Sequence, residues 1–577
     1  MRYISTKNTE KFYSDTNAIL NNYAPDGGVF VPENFTRFTA STWERLAQAD
    51  FPSRVATVLA EFLPSIPKAE LDKLSKEAFP ISNDKADFMS LEHLNAYLGE
   101  PYSLELWHGP SASYLDFEAR LVPRLILNAH ERSADRVLKK PLFLVAALPE
   151  TAYAYVDSFE ELGVDYIVFS STERPYVQKR KKKKSRKKVR ARKAMQDTRK
   201  NYNKQDLAGV VQVDTNIAKL NEDLMNLARD TELKERLDKE NIVLQVLSPF
   251  SWSSILAKVS YFVSLYADLI AAEDENEFEK VNVVIPDNDL SNVLACLYAM
   301  SLGTNTNKII YASNKNNELC GLIRNGKYKI NRKTYRTNSP ALDYVNKVNL
   351  QRLIFEFSER DSEKVNTYIE SLKSHASFKL DRKTLRNMQM LLVAGFSNDN
   401  NTRDAIKDVY TQYDHIIDPH TAVGHAVYEY YLNAHKEDKD IKTIFLALYS
   451  PFTYPLAVAE VIFKDLDQFD SIDHLRTAIS EEASLEIPSR YRLANAYKEV
   501  NDLNALIKGI DYDYYGLDED AEDAKMDPEL LELNLDKAQA KLKDLEANLA
   551  ETKVQKLNLD NLNDLILEKV EAINEDW

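Results

Sequence analysis

The feature that most constrains the fold of this chain is a series of seven short apolar segments, rich in β-branched residues and separated by stretches of helical length. Continuous apolar strands of this kind are typical of parallel sheets covered by helices, because neither face of such a strand meets water. The pattern therefore predicts α/β architecture. The seven segments are FLVAAL from Phe143, YIVFSS from Tyr166, VVQVD from Val210, IVLQVL from Ile242, VNVVIP from Val281, KIIYAS from Lys308 and TIFLALY from Thr443.

With 577 residues the chain is too long for a single compact core. Residues 1–95 contain amphipathic segments instead of apolar strands, which predicts a mostly helical N-terminal domain. We expect an α/β core of two subdomains at 96–508, an acidic linker at 509–529 and a helical or coiled-coil tail at 530–577. A helix that packs back on its own domain fits the tail equally well. The repeating tail positions are Leu531, Leu535, Ala538, Leu542, Leu545, Leu549 and Thr552.

The two cysteines, Cys296 and Cys320, are too few for a disulfide framework or a paired metal-ligand motif, so no metal site is expected. The N-terminal residues contain no apolar signal core, and we expect a cytoplasmic protein. The longest apolar segment, Ser253–Ala272, includes Lys258 and Asp268. These charges favour a buried helix over a membrane span, and no membrane contact is expected.

A strongly basic block at residues 179–193 has 12 basic residues in 15 positions, whereas the rest of the chain has 62 basic and 90 acidic residues. Three roles fit such a block, and they stay open: a solvated free loop, contact with RNA or another polyanion, and pairing with the ten acidic residues between 511 and 532. The block contains no aromatic residue, which disfavours base stacking. Its basic residues are Lys179, Arg180, Lys181, Lys182, Lys183, Lys184, Arg186, Lys187, Lys188, Arg190, Arg192 and Lys193.

The segment at 104–121, LELWHGPSASYLDFEARL, resembles a motif of threonine synthases in which an aromatic-His-Gly turn precedes Phe-Lys-Asp-Phe. The resemblance implies a fold-type-II pyridoxal-phosphate enzyme, like tryptophan synthase β, with two parallel or mixed sheets. It also implies conversion of O-phospho-L-homoserine to L-threonine and phosphate. The other matching blocks are RYIST from Arg2, APDGGVFVP from Ala24, ASNKNNEL from Ala312, NSPALDYVNKVNLQRLIFE from Asn338, DPHTAVG from Asp418 and YSPFTYPLAV from Tyr449.

The chain departs from the family at the lysine that forms the aldimine with the cofactor and moves protons on the substrate. The matching residue is Leu115, which has neither a nucleophile nor a transferable proton. We therefore expect no catalytic residue and no bound cofactor. Pyridoxal phosphate is expected only if the family activity is retained.

Other positions of the implied cofactor and substrate cleft have changed as well. The family's Ser-Gly-Asp-Thr-Gly is represented by residues 148–152, and its phosphate loop, Gly-Asn-Phe-Gly-Asn, by residues 288–292. Asp289 adds a negative charge where the cofactor phosphate would lie, and if it points inward it opposes the phosphate by on the order of 4 kcal/mol per charge pair. The family's substrate-phosphate lysine is represented by Thr453. The vestigial cleft is predicted to comprise Ser111, Asp116, Glu150, Thr151, Asn288, Asp289, Ser291, Asn292 and Leu448.

Several polar residues in the retained blocks are predicted to hold the fold instead of acting on a ligand. His108 is expected to satisfy the backbone of its turn, His420 to cap a helix and pack in the core, and Asp116 to cap or brace the following helix. The remaining residues of this class are Asn314, Ser339, Asp343, Asn349 and Arg352.

Three functions from different classes follow as hypotheses. The first is a non-catalytic threonine synthase homologue that acts as a scaffold or regulatory protein and recruits a partner or a second copy through its C-terminal helices. The second is an active threonine synthase with a displaced lysine, for which Lys139 and Lys140 are poorly placed before a strand. The third is a polyanion-binding or RNA-binding protein.

Overall fold

The chain is described by a computed structural model at residues 1–81, 88–94, 101–133, 139–171, 210–213, 215–272, 280–331, 333–345, 347–466, 468–469, 471–488 and 491, with tail pieces at 554–557, 566–567 and 569–570. The basic block at 179–193, the acidic linker and the repeating tail positions at 531–552 lie outside the described residues. Predictions about them stay predictions.

The strands of the described residues are β1 (Tyr3–Ser5), β2 (Asn8–Tyr13), β3 (Phe30–Pro32), β4 (Ser90–His93), β5 (Pro101–Glu105), β6 (Lys140–Ala147), β7 (Asp165–Ser171), β8 (Val210–Val213), β9 (Ile242–Leu247), β10 (Val281–Pro286), β11 (Thr306–Ser313), β12 (Lys327–Lys329), β13 (Ser377–Lys379), β14 (Leu392–Phe396), β15 (Thr443–Ala447) and β16 (Val554–Leu557).

The α-helices of the same residues are Asp15–Leu20, Ala40–Ala47, Phe51–Phe62, Lys68–Ala78, Leu115–Glu131, Tyr153–Leu162, Ile217–Leu227, Thr231–Lys239, Trp252–Ala272, Ser291–Leu302, Glu318–Asn325, Leu350–Phe357, Ser362–His375, Arg382–Leu391, Asp399–Tyr413, Pro419–Ala434, Pro455–Ile462 and Ile472–Ala483. Short 3₁₀ turns lie at Pro340–Leu342 and Lys436–Asp438.

Two sheets form the α/β core, and all seven predicted strands are confirmed as β6–β11 and β15. One sheet has the strand order β16-β8-β7-β6-β9, and all its pairs are parallel. The other has the order β14-β11-β10-β15-β5-β4, and only the β4–β5 pair is antiparallel. The predicted α/β class with two parallel or mixed sheets is therefore confirmed.

The N-terminal region combines four helices with a small antiparallel sheet, β2-β1-β3, and packs on the α/β core. The Tyr3 hydroxyl donates to the Phe62 carbonyl at 2.7 Å and accepts the Trp252 indole N–H at 2.8 Å. These bonds connect the first strand to a helix of its own region and to the long core helix. The N-terminal residues thus share one continuous apolar core with the rest of the chain.

The helix Trp252–Ala272 is long and apolar enough to cross a membrane, but 72% of its most apolar window is buried inside the protein. It packs between the N-terminal helices and the helices Leu115–Glu131 and Ser291–Leu302. Its apolar composition is explained by this central position, as expected for a buried helix.

The described pieces of the C-terminal tail return to the parallel sheet. Strand β16 pairs with β8 at the edge of that sheet. Ile566 and Val570 are buried in the apolar cluster on the same sheet, and Lys569 Nζ lies 3.6 Å from Asp165 Oδ1. The tail therefore contains a strand that the sequence pattern did not predict, and this strand covers an exposed sheet edge.

Candidate functional site

The predicted cleft residues lie in loops that follow the carboxyl ends of four strands, β5, β6, β10 and β15. Ligands of open α/β sheets bind at this edge, because the loops and helix N-termini there face a common crevice. The fold therefore brings the cleft residues to the edge at which a ligand site is expected.

Leu115 begins the helix Leu115–Glu131, directly after the turn that carries the retained motif. The backbone N–H of the preceding residue, Tyr114, donates to the Leu448 carbonyl at 2.8 Å, which fixes the turn against the end of β15. Leu115 is partly buried and packs against the main apolar core. An apolar side chain therefore stands where the family's lysine amine is implied.

A different lysine enters the cleft from the neighbouring core helix. Lys258 Nζ donates to Glu118 Oε2 at 2.8 Å and to Ser254 Oγ at 3.3 Å, and it lies 5.8 Å from the centre of the Tyr114 ring. The Lys258 and Glu118 side chains are each only 1% exposed. Glu118 follows Leu115 by three residues and thus shares its helix face. The sequence interpretation noted Lys258 only as a charge in an apolar helix and missed its place in the site.

Four tyrosines surround this ion pair. The Tyr155 hydroxyl donates to Glu118 Oε1 at 3.2 Å, and the Tyr114 and Tyr449 rings pack edge to face with their centres 5.7 Å apart. Burial raises the pKa of Tyr114, Tyr155, Tyr261 and Tyr449 above the ordinary range, and all four stay protonated. Both carboxylate oxygens of Glu118 are engaged, Oε1 by Tyr155 and Oε2 by Lys258.

The loop after β10 contains a carboxylate that the sequence interpretation did not single out. Asp287 Oδ1 accepts the backbone N–H groups of Asn288 and Asp289 at 2.6 and 2.9 Å. Asp287 Oδ2 accepts those of Asn292 and Val293 at 3.1 and 3.4 Å. The last two belong to the first turn of the helix Ser291–Leu302. The carboxylate therefore lies at the N-terminus of a helix, inside the implied phosphate loop.

Asp289 is buried, an orientation that the sequence left open, and its raised pKa removes most of the charge penalty that was expected at neutral pH. Burial, together with repulsion from Asp287, raises the pKa of Asp289 to about 8, although Lys258 opposes this shift. The carboxyl is 8% exposed, and its Oδ1 accepts the Ser291 N–H at 2.8 Å. At pH 7 Asp289 is mostly protonated, because an ionised form would lie next to a second carboxylate in a buried site.

The other residues of this loop bond within the protein. Asn288 Nδ2 donates to the carbonyls of Ala341 and Tyr344, the latter at 2.6 Å. Asn292 Oδ1 accepts the Tyr261 hydroxyl. Leu290 has a left-handed backbone with φ of 64°, which is strained for a branched side chain and turns the loop toward Asp287.

Ser111 and Asp116 form the brace of the turn before the helix Leu115–Glu131. Asp116 Oδ2 accepts the Ser111 backbone N–H at 2.9 Å, and burial raises the pKa of Asp116 to about 6. A Cβ at Gly109 would overlap the Asp116 carboxyl, so glycine is required for this approach. The side chain of Tyr114, the residue before the helix, makes no capping bond. Of the two predicted roles of Asp116, the structure supports bracing.

On the opposite side of the cleft, Glu150 and Thr151 occupy the turn after β6. Thr151 is buried and bonds within its own turn, its hydroxyl donating to the Leu148 carbonyl at 3.3 Å. Glu150 is partly exposed, and its charge contributes to the raised pKa of Tyr449 after the larger effect of burial. Glu150 therefore faces the same cleft as the tyrosines. Leu448 is 3% exposed and buried in the core.

The retained polar residues bond to side chains and backbone around them, and Asn349 Nδ2 also donates to the Asp289 carbonyl at 2.9 Å. Asn314 Nδ2 donates to Thr337 Oγ1 at 2.8 Å and to Asp343 Oδ1 at 2.9 Å, and the Ser339 carbonyl accepts from it at 3.2 Å. Burial raises the pKa of Asp343 to about 7. Arg352, fully buried, donates to the Phe30 and Phe250 carbonyls and to Asn349. These contacts support the predicted structural role.

The two histidines predicted to be structural have different partners. His420 Nδ1 bonds to Asp418 Oδ1 at 2.7 Å, and His420 Nε2 accepts the Ala341 N–H at 3.1 Å, which agrees with capping and core packing. His108 Nε2 bonds to Glu105 Oε2 at 2.8 Å rather than to the turn backbone, so that part of the prediction is wrong. Within the described ranges no group of three or more His, Cys, Asp or Glu residues is arranged to hold a metal ion.

These residues do not fit pyridoxal phosphate. The cofactor requires an amine for its aldehyde and a set of N–H donors for its phosphate. The described cleft offers Leu115 at the first position and two acids, Asp287 and Asp289, at the second. Lys258 is held by Glu118, and an ammonium in an ion pair is not a nucleophile.

Comparison with known proteins finds similarity to threonine synthases in sequence and in fold. The family model "Threonine synthase N terminus" matches residues 2–79. Threonine synthase-like 1 of Homo sapiens is 26% identical over 432 residues, which cover 73% of this chain and 54% of the relative. The chain thus spans about half the length of the threonine synthase-like 1 proteins that it matches.

Two solved structures share the fold. Threonine synthase from yeast has a TM-score of 0.69 at 18% identity, covering 99% of each chain. Pyridoxal-phosphate-bound threonine synthase from Brucella melitensis has a TM-score of 0.64 at 22% identity, covering 82% of this chain and 94% of the other. These likenesses establish the predicted fold-type-II architecture.

Proposed function

Because the chain belongs to the threonine synthase family, we propose that it is a non-catalytic member that uses the family fold as a scaffold or regulatory protein. The observation that carries this proposal is the Lys258–Glu118 ion pair beside Leu115, with both side chains 1% exposed. The polar groups that remain in the cleft are engaged with one another. A cleft of this kind satisfies its own buried groups and does not require a ligand for stability.

The chemistry of the family explains why this replacement removes activity. An imine with the cofactor requires a neutral amine, and the later proton transfers at the substrate carbons require the same group to be free. Leucine supplies neither at position 115. Lys258 Nζ donates to Glu118 Oε2 at 2.8 Å, so this amine is held in a buried ion pair and does not replace the missing lysine.

The test is a titration of the purified chain with pyridoxal phosphate, followed by borohydride reduction and peptide mapping, in parallel with a phosphate-release assay on O-phospho-L-homoserine. We expect no imine absorbance band, no adduct at a single internal lysine and no phosphate release above background. An internal lysine adduct combined with phosphate release would overturn the proposal.

An active threonine synthase is the second candidate, and the position of Lys258 is the specific observation in its favour. Its Nζ lies 5.8 Å from the Tyr114 ring, next to the position of the missing lysine. In this alternative Glu118 accepts the proton and frees the amine. The same peptide map decides it: an adduct at Lys258 that is absent in Lys258→Arg would support activity, whereas labelling of surface lysines alone would exclude it.

Two proposals concern residues that the structure does not describe. The basic block at 179–193 is proposed to bind RNA or another polyanion, which filter binding at two salt concentrations would test against a variant with Gly/Ser in the block. The C-terminal segment is proposed to recruit a second copy or a protein partner. Sedimentation of the whole chain would test the self-association. We further propose a cytoplasmic location, which fluorescence microscopy of a tagged chain would test.

A further inference from the structure

We propose that Asp287 is an internal anion that occupies the position of a ligand phosphate, so that the loop after β10 is closed by the chain itself. Its two carboxylate oxygens accept four backbone N–H groups, at 2.6, 2.9, 3.1 and 3.4 Å. Two of these groups belong to the loop and two to the first turn of the helix Ser291–Leu302. The inference extends the proposed function, since it names what replaced the cofactor phosphate.

The donors around Asp287 are those that suit a phosphate. The first N–H groups of a helix have no partner inside the helix, and the helix dipole favours negative charge at this end. Hydrogen bonds to an ionised oxygen are stronger than neutral ones, especially in a buried site. Asp287 is 3% exposed, so water does not compete for these N–H groups. An external phosphate would have to displace a carboxylate that is already attached to the chain.

The neighbouring carboxyl of Asp289 limits the negative charge of this loop. Asp289 keeps its proton up to a pKa of about 8, because of burial and the adjacent Asp287. The loop therefore presents close to one negative charge at neutral pH, although it contains two acids. A second polar group is in place as well: the Ser291 hydroxyl, fully buried in the first turn, has no hydrogen-bond partner among the described residues.

Removal of the Asp287 carboxylate should therefore open an anion site. In Asp287→Ala the four N–H groups lose their acceptor while they remain buried, which is unfavourable without a new acceptor. The probe is inorganic phosphate, compared with chloride at equal ionic strength. We expect phosphate to raise the melting temperature of Asp287→Ala by about 2 °C or more, and that of the unchanged chain by less than about 0.5 °C.

Three further variants separate the causes. Asp287→Asn keeps the size of the side chain and one acceptor oxygen but loses the charge, and it should gain no phosphate response. Asp287→Ser is a milder change than Asp287→Ala, and its melting temperature should rise with phosphate in the same way. It replaces Asp287→Ala in the experiment if the alanine variant does not fold. Asp50→Ala removes the side chain of an exposed N-cap that accepts the Ser53 N–H at 2.8 Å. It should gain no response, because water replaces the cap at a solvated helix end.

The proposal is overturned if folded Asp287→Ala and Asp287→Ser are as insensitive to phosphate as the unchanged chain, or if the unchanged chain responds equally. If neither variant folds in chloride, refolding in phosphate should rescue them, and failure in both salts counts against an anion role. Neither outcome depends on catalysis. Phosphate release from O-phospho-L-homoserine by the unchanged chain would overturn the proposed function and leave the Asp287 result to stand on its own.

Discussion

Two buried polar clusters of this molecule have had opposite histories, although both are built from amides, carboxyls and hydroxyls. The retained cluster around Asn314 keeps the residues of the family's motifs, and its bonds connect separate segments of backbone at 2.8–3.2 Å. The rebuilt cluster around Lys258 has lost the residues that the family motifs imply for ligands. Its new members bond to one another.

The difference between the two clusters reflects what the family's side chains bind there: backbone segments in one cluster and a ligand in the other. Groups that hold backbone segments are needed whether or not a ligand is present, because the loops they fix have no other acceptors. Groups that hold a ligand become unsatisfied once the ligand is lost, and they are then replaced by self-sufficient pairs. Under the proposed function, the Lys258–Glu118 pair would take the place of a covalent anchor and the Asp287 carboxylate that of an anion.

The largest effect is expected when one member of the rebuilt ion pair is removed. Lys258→Met should lower the free energy of unfolding by about 3–5 kcal/mol, since it leaves Glu118 charged and buried without its partner. Lys258→Met combined with Glu118→Leu should cost less than Lys258→Met alone. Urea denaturation followed by tryptophan fluorescence measures both changes.

A surface pair provides the matched control for this prediction. Lys219 pairs with Asp223, but its side chain is 48% exposed, so Lys219→Met should cost less than about 1 kcal/mol. If the double variant at the buried pair were as unstable as the sum of the two single variants, the two residues would not act as a pair, and the self-sufficiency of the rebuilt cluster would be refuted.

The next largest effect is expected in the retained cluster. Asn314→Ala removes an amide that bonds to Thr337, Ser339 and Asp343, and it should lower the free energy of unfolding by about 2–3 kcal/mol. No second substitution should restore the stability, because several partners lose bonds at once. Urea denaturation again measures the loss. Asn401→Ala, at an exposed amide that donates to Tyr430, is the control and should stay within about 0.5 kcal/mol.

The contrast between the clusters also explains which parts of the fold and of the site could be predicted from the sequence. The seven apolar segments were predicted correctly as strands, because a strand that is buried on both faces is a continuous apolar run. Such a run can be found from the local sequence alone. Leu115 and the vestigial loop were found because a motif fixes the position of each residue along the chain. The order of the strands in the sheets was not predicted, because it depends on contacts between strands that are distant in the sequence.

The residues that the sequence did not reveal are those whose role depends on distant neighbours. Lys258 and Glu118 are 140 positions apart, and no local pattern connects them. A lysine inside an otherwise apolar helix was the available signal, since a buried charge requires a partner. Asp287 was overlooked because it precedes the implied loop by one position. The charge assigned to Asp289 was wrong because ionisation depends on burial and on that unseen neighbour.

The free energy of unfolding is expected to fall in acidic solution because of His425, which lies in the helix Pro419–Ala434. His425 is buried and its ring centre stacks 3.7 Å from that of Phe445, and burial lowers the pKa of His425 from 6.5 to about 3. Between these values the unfolded chain binds a proton that the folded chain does not. Stability should therefore fall by up to about 1.4 kcal/mol for each pH unit below about 6 from this group alone.

The variant His425→Phe should have a shallower loss of stability between pH 6.5 and pH 4.5, measured as urea midpoints across that range. His435→Gln, at a side chain that is 40% exposed near the end of the same helix, is the control and should keep the slope of the unchanged chain. Equal slopes for His425→Phe and the unchanged chain would show that His425 gains its proton without unfolding.

The last effect is a pH dependence expected from the rebuilt cleft, and it has the opposite sign to that of His425. The folded-state pKa of Asp289 is raised from 3.8 to about 8, so between these values the folded chain holds a proton that the unfolded chain has released. This group therefore favours folding at low pH and loses that contribution as the pH rises. Asp289→Asn imitates the protonated form, so its stability relative to the unchanged chain should rise by up to about 1.4 kcal/mol for each pH unit between pH 6 and pH 8.

The comparison is a difference between two pH values, which separates ionisation from packing. If Asp289 titrates as inferred, the advantage of Asp289→Asn should grow between pH 6 and pH 8.5, whereas a packing effect would be the same at both. Asp440→Asn, on a side chain that is 82% exposed, should give no such growth. A constant difference for Asp289→Asn would mean that Asp289 is already ionised in the folded cleft. Two adjacent negative charges would then face Lys258, and the single-charge description of the loop would have to be abandoned.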